Sequence, residues 1–310
     1  MIHTKTMVNI KAKTSALSLF LLGFMTQHSF ATADQPIKRR NAIVIGASSG
    51  MGREVAKLLS KEGYTLGLVA RRLPLLKSLQ AELQGITHIK AIDVTDPQAR
   101  DNLSSLIATM GGLDLIVISI SSYLDNRKTP ADLDNRNTLA DHDNKKNDNK
   151  NFPVLPKTWP EIERTLDVDL KGFIAMADVA LRFFSEQNHG HLVGISSTSG
   201  LRGSAASPEY CAAKACISRY MEGMRNFMDQ NNKDVLITDV IPGFVAVEHS
   251  PLGEDPSAYW EITVEEAGKT IIEGIKAEKK VIYVPSKVRL IAYLHSILPD
   301  WLYNSCFSWL

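Results

Sequence analysis

Short apolar runs alternate with longer stretches of helical spacing from Lys38 onward, and this alternation is the strongest constraint on what the chain can fold into. The runs Ala42 to Ile45, Thr65 to Val69, His88 to Ile92, Leu115 to Ile120, Leu192 to Ile195, Leu236 to Val240 and Val281 to Val284 read as strands. Between them, Gly52 to Lys61, Pro74 to Leu83, Pro97 to Met110, Trp159 to Ser185, Pro208 to Gln230 and Val264 to Ala277 read as helices. The last opens on Thr263-Val264-Glu265-Glu266, a capping box that satisfies free amides of a first helical turn. Strands joined through helices run parallel. The order therefore predicts an α/β, doubly wound parallel sheet of seven strands with helices on both faces and its ligand at the carboxyl ends of the strands. A length of 310 residues with 44% hydrophobic content suffices for one such domain, assigned to residues 38–310.

Two segments depart from the alternation. Lys5, Lys11 and Lys13 precede an apolar run from Ala16 to Met25, followed by Ala31-Thr32-Ala33, so residues 1–33 read as a secretory signal cleaved after Ala33 or Ala31. The run is too short to span a bilayer. The expected location is exported, periplasmic or membrane-associated, with a cytoplasmic protein carrying an upstream extension as the alternative. Residues 125–151 hold 6 Asp, 7 Asn, 4 Lys and 2 Arg with almost nothing apolar, and read as a solvated, disordered insertion.

Charge and cysteine content exclude several classes. Lys plus Arg (35) balances Asp plus Glu (34), so no overall positive field favours nucleic acid. Cys211, Cys216 and Cys306 form no C-x-x-C pair and read as packing residues. No metal site is expected: His189-x-His191 lacks further ligands, and Asp132-x-Asp134 is followed by Arg136 and Asn137 where a calcium loop needs a ligand and a glycine.

The first strand runs into Gly46-Ala47-Ser48-Ser49-Gly50-Met51-Gly52, which opens a helix. Glycines there permit a tight turn and close approach to a pyrophosphate, whose charge meets the helix N-terminal amides. The second strand ends in Val69-Ala70-Arg71-Arg72 rather than a carboxylate. An acid at that point would bind the ribose hydroxyl of NAD, whereas Arg71 and Arg72 suit the additional phosphate of NADP(H), with Arg53 a third positive charge. Asp93-Val94, at the end of the third strand, reads as a cap for the following turn.

Tyr210 and Lys214 lie four apart in a helical segment, on one face. A phenol with an unperturbed pKa of about 10 becomes a usable acid–base group when an ammonium favours its ionised form. Thirteen residues earlier stands Ser197, in Ile195-Ser196-Ser197-Thr198-Ser199-Gly200, with Ser196 its nearest competitor. Pro242-Gly243-Phe244-Val245 follows the sixth strand. In its G-x-x-x-G-x-G turn, serine segment, Y-x-x-x-K pair and Pro-Gly turn, the chain resembles the short-chain dehydrogenase/reductase family from about Arg40 to Val284. The resemblance implies a single Rossmann domain, usually dimeric or tetrameric, moving a hydride between NADP(H) and a carbonyl or secondary alcohol. It further implies cofactor contacts from Gly46, Ser48, Ser49, Gly50, Met51, Gly52, Arg71, Arg72, Asp93, Val94, Ser119, Tyr210, Lys214, Pro242, Gly243 and Val245. Tyr210 is expected as general acid/base, Lys214 as its cationic neighbour and Ser197 as the group that positions the substrate oxygen.

The departures from the family pattern are specific. Ile118-Ser119-Ile120-Ser121 stands where the family reads Asn-Asn-Ala-Gly, and Asp169, in Asp167-Val168-Asp169-Leu170-Lys171-Gly172, stands for the active-site asparagine. A carboxylate there accepts a hydrogen bond in the proton relay while offsetting the charge of Lys214. Val247 replaces a frequent threonine. These changes define an alternative: a cofactor-binding protein with little or no catalysis. The segment through Val245, Leu252, Tyr259 and Trp260 is apolar and suits a hydrophobic substrate, with His249 a loop residue. The aromatic tail from Pro299 to Leu310 suits core or subunit closure, or a peripheral membrane contact.

Overall fold

Strand β1 (Asn41–Ile45) sends Ile43 and Ile45 to one face and Ala42 and Val44 to the other, and all four are buried. A continuous apolar run specifies this two-sided burial, as an alternating one would not. The computed structural model describes residues 40–122, 157–204, 207–246 and 261–290, with 292, 298, 299 and 301. After β1 come α1 (Gly50–Lys61), β2 (Thr65–Ala70), α2 (Leu73–Glu82), β3 (Thr87–Ala91), α3 (Ala99–Met110) and β4 (Leu115–Ile118). Next are α4 (Trp159–Thr165), a π-helical segment (Leu166–Gly172), α5 (Phe173–Gln187), β5 (His189–Ile195) and a 3-10 turn (Thr198–Gly200). The chain continues through α6 (Pro208–Gln230), β6 (Asp234–Pro242), β7 (Val245–Ala246), β8 (Ile262–Thr263), α7 (Val264–Lys276) and β9 (Val281–Val284).

Seven strands form one parallel sheet in the order β3-β2-β1-β4-β5-β6-β9. The chain runs outward from β1 through β2 to β3, then returns to β4 on the other side of β1. That reversal opens a crevice at the carboxyl ends of β1 and β4, where such sheets take their ligands. Helices α3, α5 and α6 cover one face through Leu103, Phe173, Phe184, Ile217 and Met221. Helices α1, α2 and α7 cover the other through Val55, Leu59, Leu76 and Ile271. The capping box forms as expected: Glu266 N donates to Thr263 Oγ1, and Thr263 N to Glu266 Oε2, both at 3.2 Å.

Several expectations need correction. The helix read as continuous from Trp159 to Ser185 is broken by the π-helical segment, whose wider turn accommodates an additional residue. Asp169 is thereby turned fully inward and Gly172 lies against Val94. Strand β4 stops at Ile118, two residues early, and β5 begins at His189, three residues early, because polar residues join the ladder opposite Asp234 and Leu236. The short parallel pair β7/β8 had no apolar run to announce it. Cys211 is buried, but Cys216 is exposed on the outer side of α6 and is not a packing residue. The signal-like segment, residues 125–151, Val247, His249, the apolar segment at 252–260 and Cys306 lie outside the described residues.

Candidate active site

At the end of β1, Gly46 N donates to Val69 O at 2.8 Å and the chain turns sharply with φ +87° at Gly46. A Cβ on Gly46 would lie 1.9 Å from Ser119 O, so the β4 loop rests directly on this turn. Ser119 N in turn donates to Ile45 O at 2.8 Å. Gly50 opens α1 with φ +56°, and the Ser49 side chain makes no capping hydrogen bond. Gly52 and the half-buried Met51 complete the first turn, which carries no acidic residue. An uncapped helix N-terminus of this kind fits an anion such as a pyrophosphate.

The two arginines after β2 diverge. Arg72 reaches over the turn and donates through Nη2 to Ser48 Oγ at 2.9 Å and Ser49 Oγ at 2.8 Å. Arg71 lines an open cavity of about 300 Å³ together with Asp93, Thr95, Arg164, Asp167 and Val168. Arg53, expected as a third positive charge for a phosphate, is instead ion-paired with Glu82. Asp93 Oδ1 accepts from Thr95 N at 3.0 Å and Thr95 Oγ1 at 2.8 Å, so this carboxylate also braces the following turn. Burial opposes its charge, but the Thr95 hydrogen bonds and then Arg71 and Arg164 outweigh that and hold Asp93 below the usual carboxylate range. Val94 packs against Gly172 on the far wall.

At the end of β5 the two serines separate. Ser196 is buried and donates to Asp239 Oδ1 at 2.6 Å, whereas Ser197 caps the 3-10 turn, accepting from Ser199 N at 3.1 Å. Behind this turn, Gly200 approaches α6 so closely that a Cβ would lie 2.8 Å from Ala215 N. Helix α6 starts at Pro208, placing Tyr210 in its first turn and Lys214 one turn on. Lys214 is 2% exposed; its Nζ lies 5.5 Å from the Tyr210 ring centroid and donates to Ile120 O at 3.2 Å and Ile195 O at 3.3 Å. Burial pushes the ammonium below its ordinary pKa, while the charges of Asp169 and Asp239 pull the other way.

Asp169 is fully buried, accepting from Ser122 N at 2.7 Å and Ser122 Oγ at 3.0 Å. Pro242 ends β6, Gly243 N donates to Val284 O at 2.8 Å, and Val245 opens β7. Sequence reasoning missed Ser122, Asp239 and the ion pair of Glu209, beside Tyr210, with Lys157. An acid within the apolar run Leu236 to Val240 was a signal for Asp239; Ser122 had none.

A family model described as short chain dehydrogenase matches residues 40–139 and 148–254. An uncharacterised oxidoreductase of Myxococcus xanthus (strain DK1622) is 32% identical over 273 residues, covering 86% of this chain and 95% of that protein. Another, from Staphylococcus aureus (strain N315), is 29% identical over 206 residues, 66% of this chain and 77% of its own. The short-chain dehydrogenase from Sphingobium yanoikuyae, solved in complex with NADPH, has a TM-score of 0.62 at 18% identity, covering 84% of this chain and 97% of its own. A structure described for 7β-hydroxysteroid dehydrogenase stereoselectivity reaches 0.67 at 16% identity, covering 87% and 97%. The chain belongs to the short-chain dehydrogenase family, oxidoreductases that bind a nicotinamide cofactor.

Proposed function

We propose that this protein reduces a carbonyl group, or oxidises the corresponding secondary alcohol, with NADP(H), and that Tyr210 is the proton donor and acceptor. The observation that carries the reading is the placement of Lys214: a buried cation under the Tyr210 ring, at the carboxyl ends of β4 and β5. A fixed positive charge favours the phenolate that remains once Tyr210 gives up its proton. Ser197, at the mouth of β5, binds the substrate oxygen and stabilises negative charge developing there. The cofactor, when bound, supplies or accepts the hydride. The chain's task is to hold the cofactor through the glycine turn and Arg72, and to hold the oxygen between Tyr210 and Ser197.

NADP(H) rather than NAD(H) is proposed because no carboxylate follows β2, and because Arg72 presents its guanidinium at the phosphate turn. That the Sphingobium yanoikuyae relative was solved with NADPH is consistent with this choice. A hydrophobic substrate is proposed from Phe244, 42% exposed just beyond the Pro242-Gly243 turn. The test is a panel of aliphatic, aromatic and polycyclic ketones with NADPH and NADH in parallel. NADPH-dependent reduction of apolar members is expected; tight NADPH binding with no turnover across the panel would reject the enzymatic reading in favour of a binding protein.

A further inference from the structure

The two carbonyls that receive Lys214 lie at positions where the sheet itself does not fully fix them. The ladder of β4 stops at Ile118, so Ile120 lies beyond its last paired residue; Ile195 is the final paired residue of β5, opposite Val240. Ser122, two residues beyond Ile120, and Ser196, immediately after Ile195, are each bound to a buried carboxylate. Beyond Ile120, Ser122 donates its backbone N–H and its hydroxyl to the two oxygens of Asp169. Beyond Ile195, Ser196 donates its hydroxyl to Asp239 and its backbone N–H to Val240 O at 2.8 Å. Asp169 comes from the π-helical segment and Asp239 from β6, so the two clamps are built from different elements.

We propose that the pairs Asp169–Ser122 and Asp239–Ser196 are two buried clamps that set the carbonyls of Ile120 and Ile195 around the Lys214 ammonium, making Ser122 and Ser196 positioning residues for the lysine. The proposal rests on the functional reading above, since it gives the lysine its task. The π-helical break serves it directly, turning Asp169 inward to Ser122 while Asp167 on the same segment pairs outward with Lys171. The charged or titratable groups facing the ammonium are Asp169 from the π segment, Asp239 from β6 and Tyr210 from α6 itself. A lost serine hydroxyl weakens support of a buried carboxylate and lets its loop shift, changing both the field at Lys214 and the reach of its carbonyl.

The experiment compares Ser122→Ala, Ser196→Ala and Ser122→Thr in the full chain, with kcat and its pH profile as one readout. The second is the titration of the Lys214 side chain by NMR of labelled lysine, its signal identified by its loss in Lys214→Met. Each alanine variant is expected to lose about tenfold in kcat, as a sub-ångström displacement of a catalytic array does, with a shifted pH profile and a displaced lysine titration. Ser122→Thr, which keeps the hydroxyl, is expected to restore both. Folded alanine variants with unchanged kcat, profile and lysine signal would overturn the proposal, as would a lowered melting temperature alone. If the wild-type protein turns over no carbonyl, the functional reading fails, and the lysine signal decides the clamps: displaced supports them, unmoved overturns them.

Discussion

Arg72 Nη2 lies 2.8 Å from Ser49 Oγ, so the guanidinium after β2 is anchored on the residue that immediately precedes helix α1. Arg71, its neighbour in sequence, faces the Asp93 cavity instead. The two therefore contribute unequally. Replacing Arg72 by Ala is expected to raise the Michaelis constant for NADPH by at least about tenfold, the loss of one charge-assisted contact, and to change that for NADH little. The same substitution at Arg71 is expected to have the smaller effect on the ratio. Steady-state kinetics with both cofactors check this; equal effects on NADPH and NADH would remove Arg72 from phosphate recognition.

The parallel sheet was legible because its central strands are buried on both faces, which leaves an unbroken apolar run in the sequence, as in Leu115 to Ile118. The glycine turn was legible because Gly46 and Gly52 cannot carry a Cβ, which would lie 1.9 Å from Ser119 O and 2.4 Å from Gly46 O respectively. The pairing of Tyr210 with Lys214 follows from helical spacing alone. The contacts that hold the site were not legible, since they join residues far apart: Ser122 meets Asp169 across 47 positions and Ser196 meets Asp239 across 43. Nor does a run of helix formers reveal where a turn widens to π, because that is decided by what Asp169 must reach.

His191 is buried on β5, and Thr238, which donates to Lys279 O at 2.6 Å, accepts from His191 Nε2 at 2.7 Å. Nε2 therefore carries the proton of a neutral ring. Burial pushes its pKa down from 6.5 to about 4. The folded value is depressed, so in the window between them the unfolded chain binds the proton first. Stability is complete above the unfolded value and falls as pH drops from about 6.5 toward 4, by about 3 kcal/mol in all. Urea denaturation across that window should show the loss, and His191→Gln should remove most of this slope; an unchanged slope would place the acid sensitivity elsewhere.

Gly46→Ala places a Cβ 1.9 Å from Ser119 O at φ +87°, whereas Gly63, at φ +81°, has nothing within 4 Å of a Cβ. Gly63→Ala is expected to cost about 1 kcal/mol, the strain of the left-handed conformation alone. Gly46→Ala adds a backbone clash, and should cost about 3 kcal/mol or more and abolish cofactor binding. Chemical denaturation and cofactor fluorescence distinguish the two; equal losses would mean that the β4 loop yields freely.

Burial drives Lys214 toward its neutral form, and the charge of Asp169 opposes this. Asp169→Asn removes that opposition while leaving an acceptor for Ser122 N and a partner for its rotatable hydroxyl. The ammonium is then lost at lower pH, so the alkaline limb of the rate profile should move toward acid relative to the native enzyme. Superimposable profiles would show that Asp169 does not act on the lysine.

In the proposed reaction Tyr210 carries the proton that accompanies hydride transfer. The most direct measurement is carbonyl reduction by Tyr210→Phe, alongside NADPH affinity of the same variant by fluorescence titration. Affinity within about twofold of native and a loss of turnover of at least about a hundredfold, the scale of a missing general acid, are the predicted result. Undiminished turnover by the phenylalanine variant would remove Tyr210 from the chemistry.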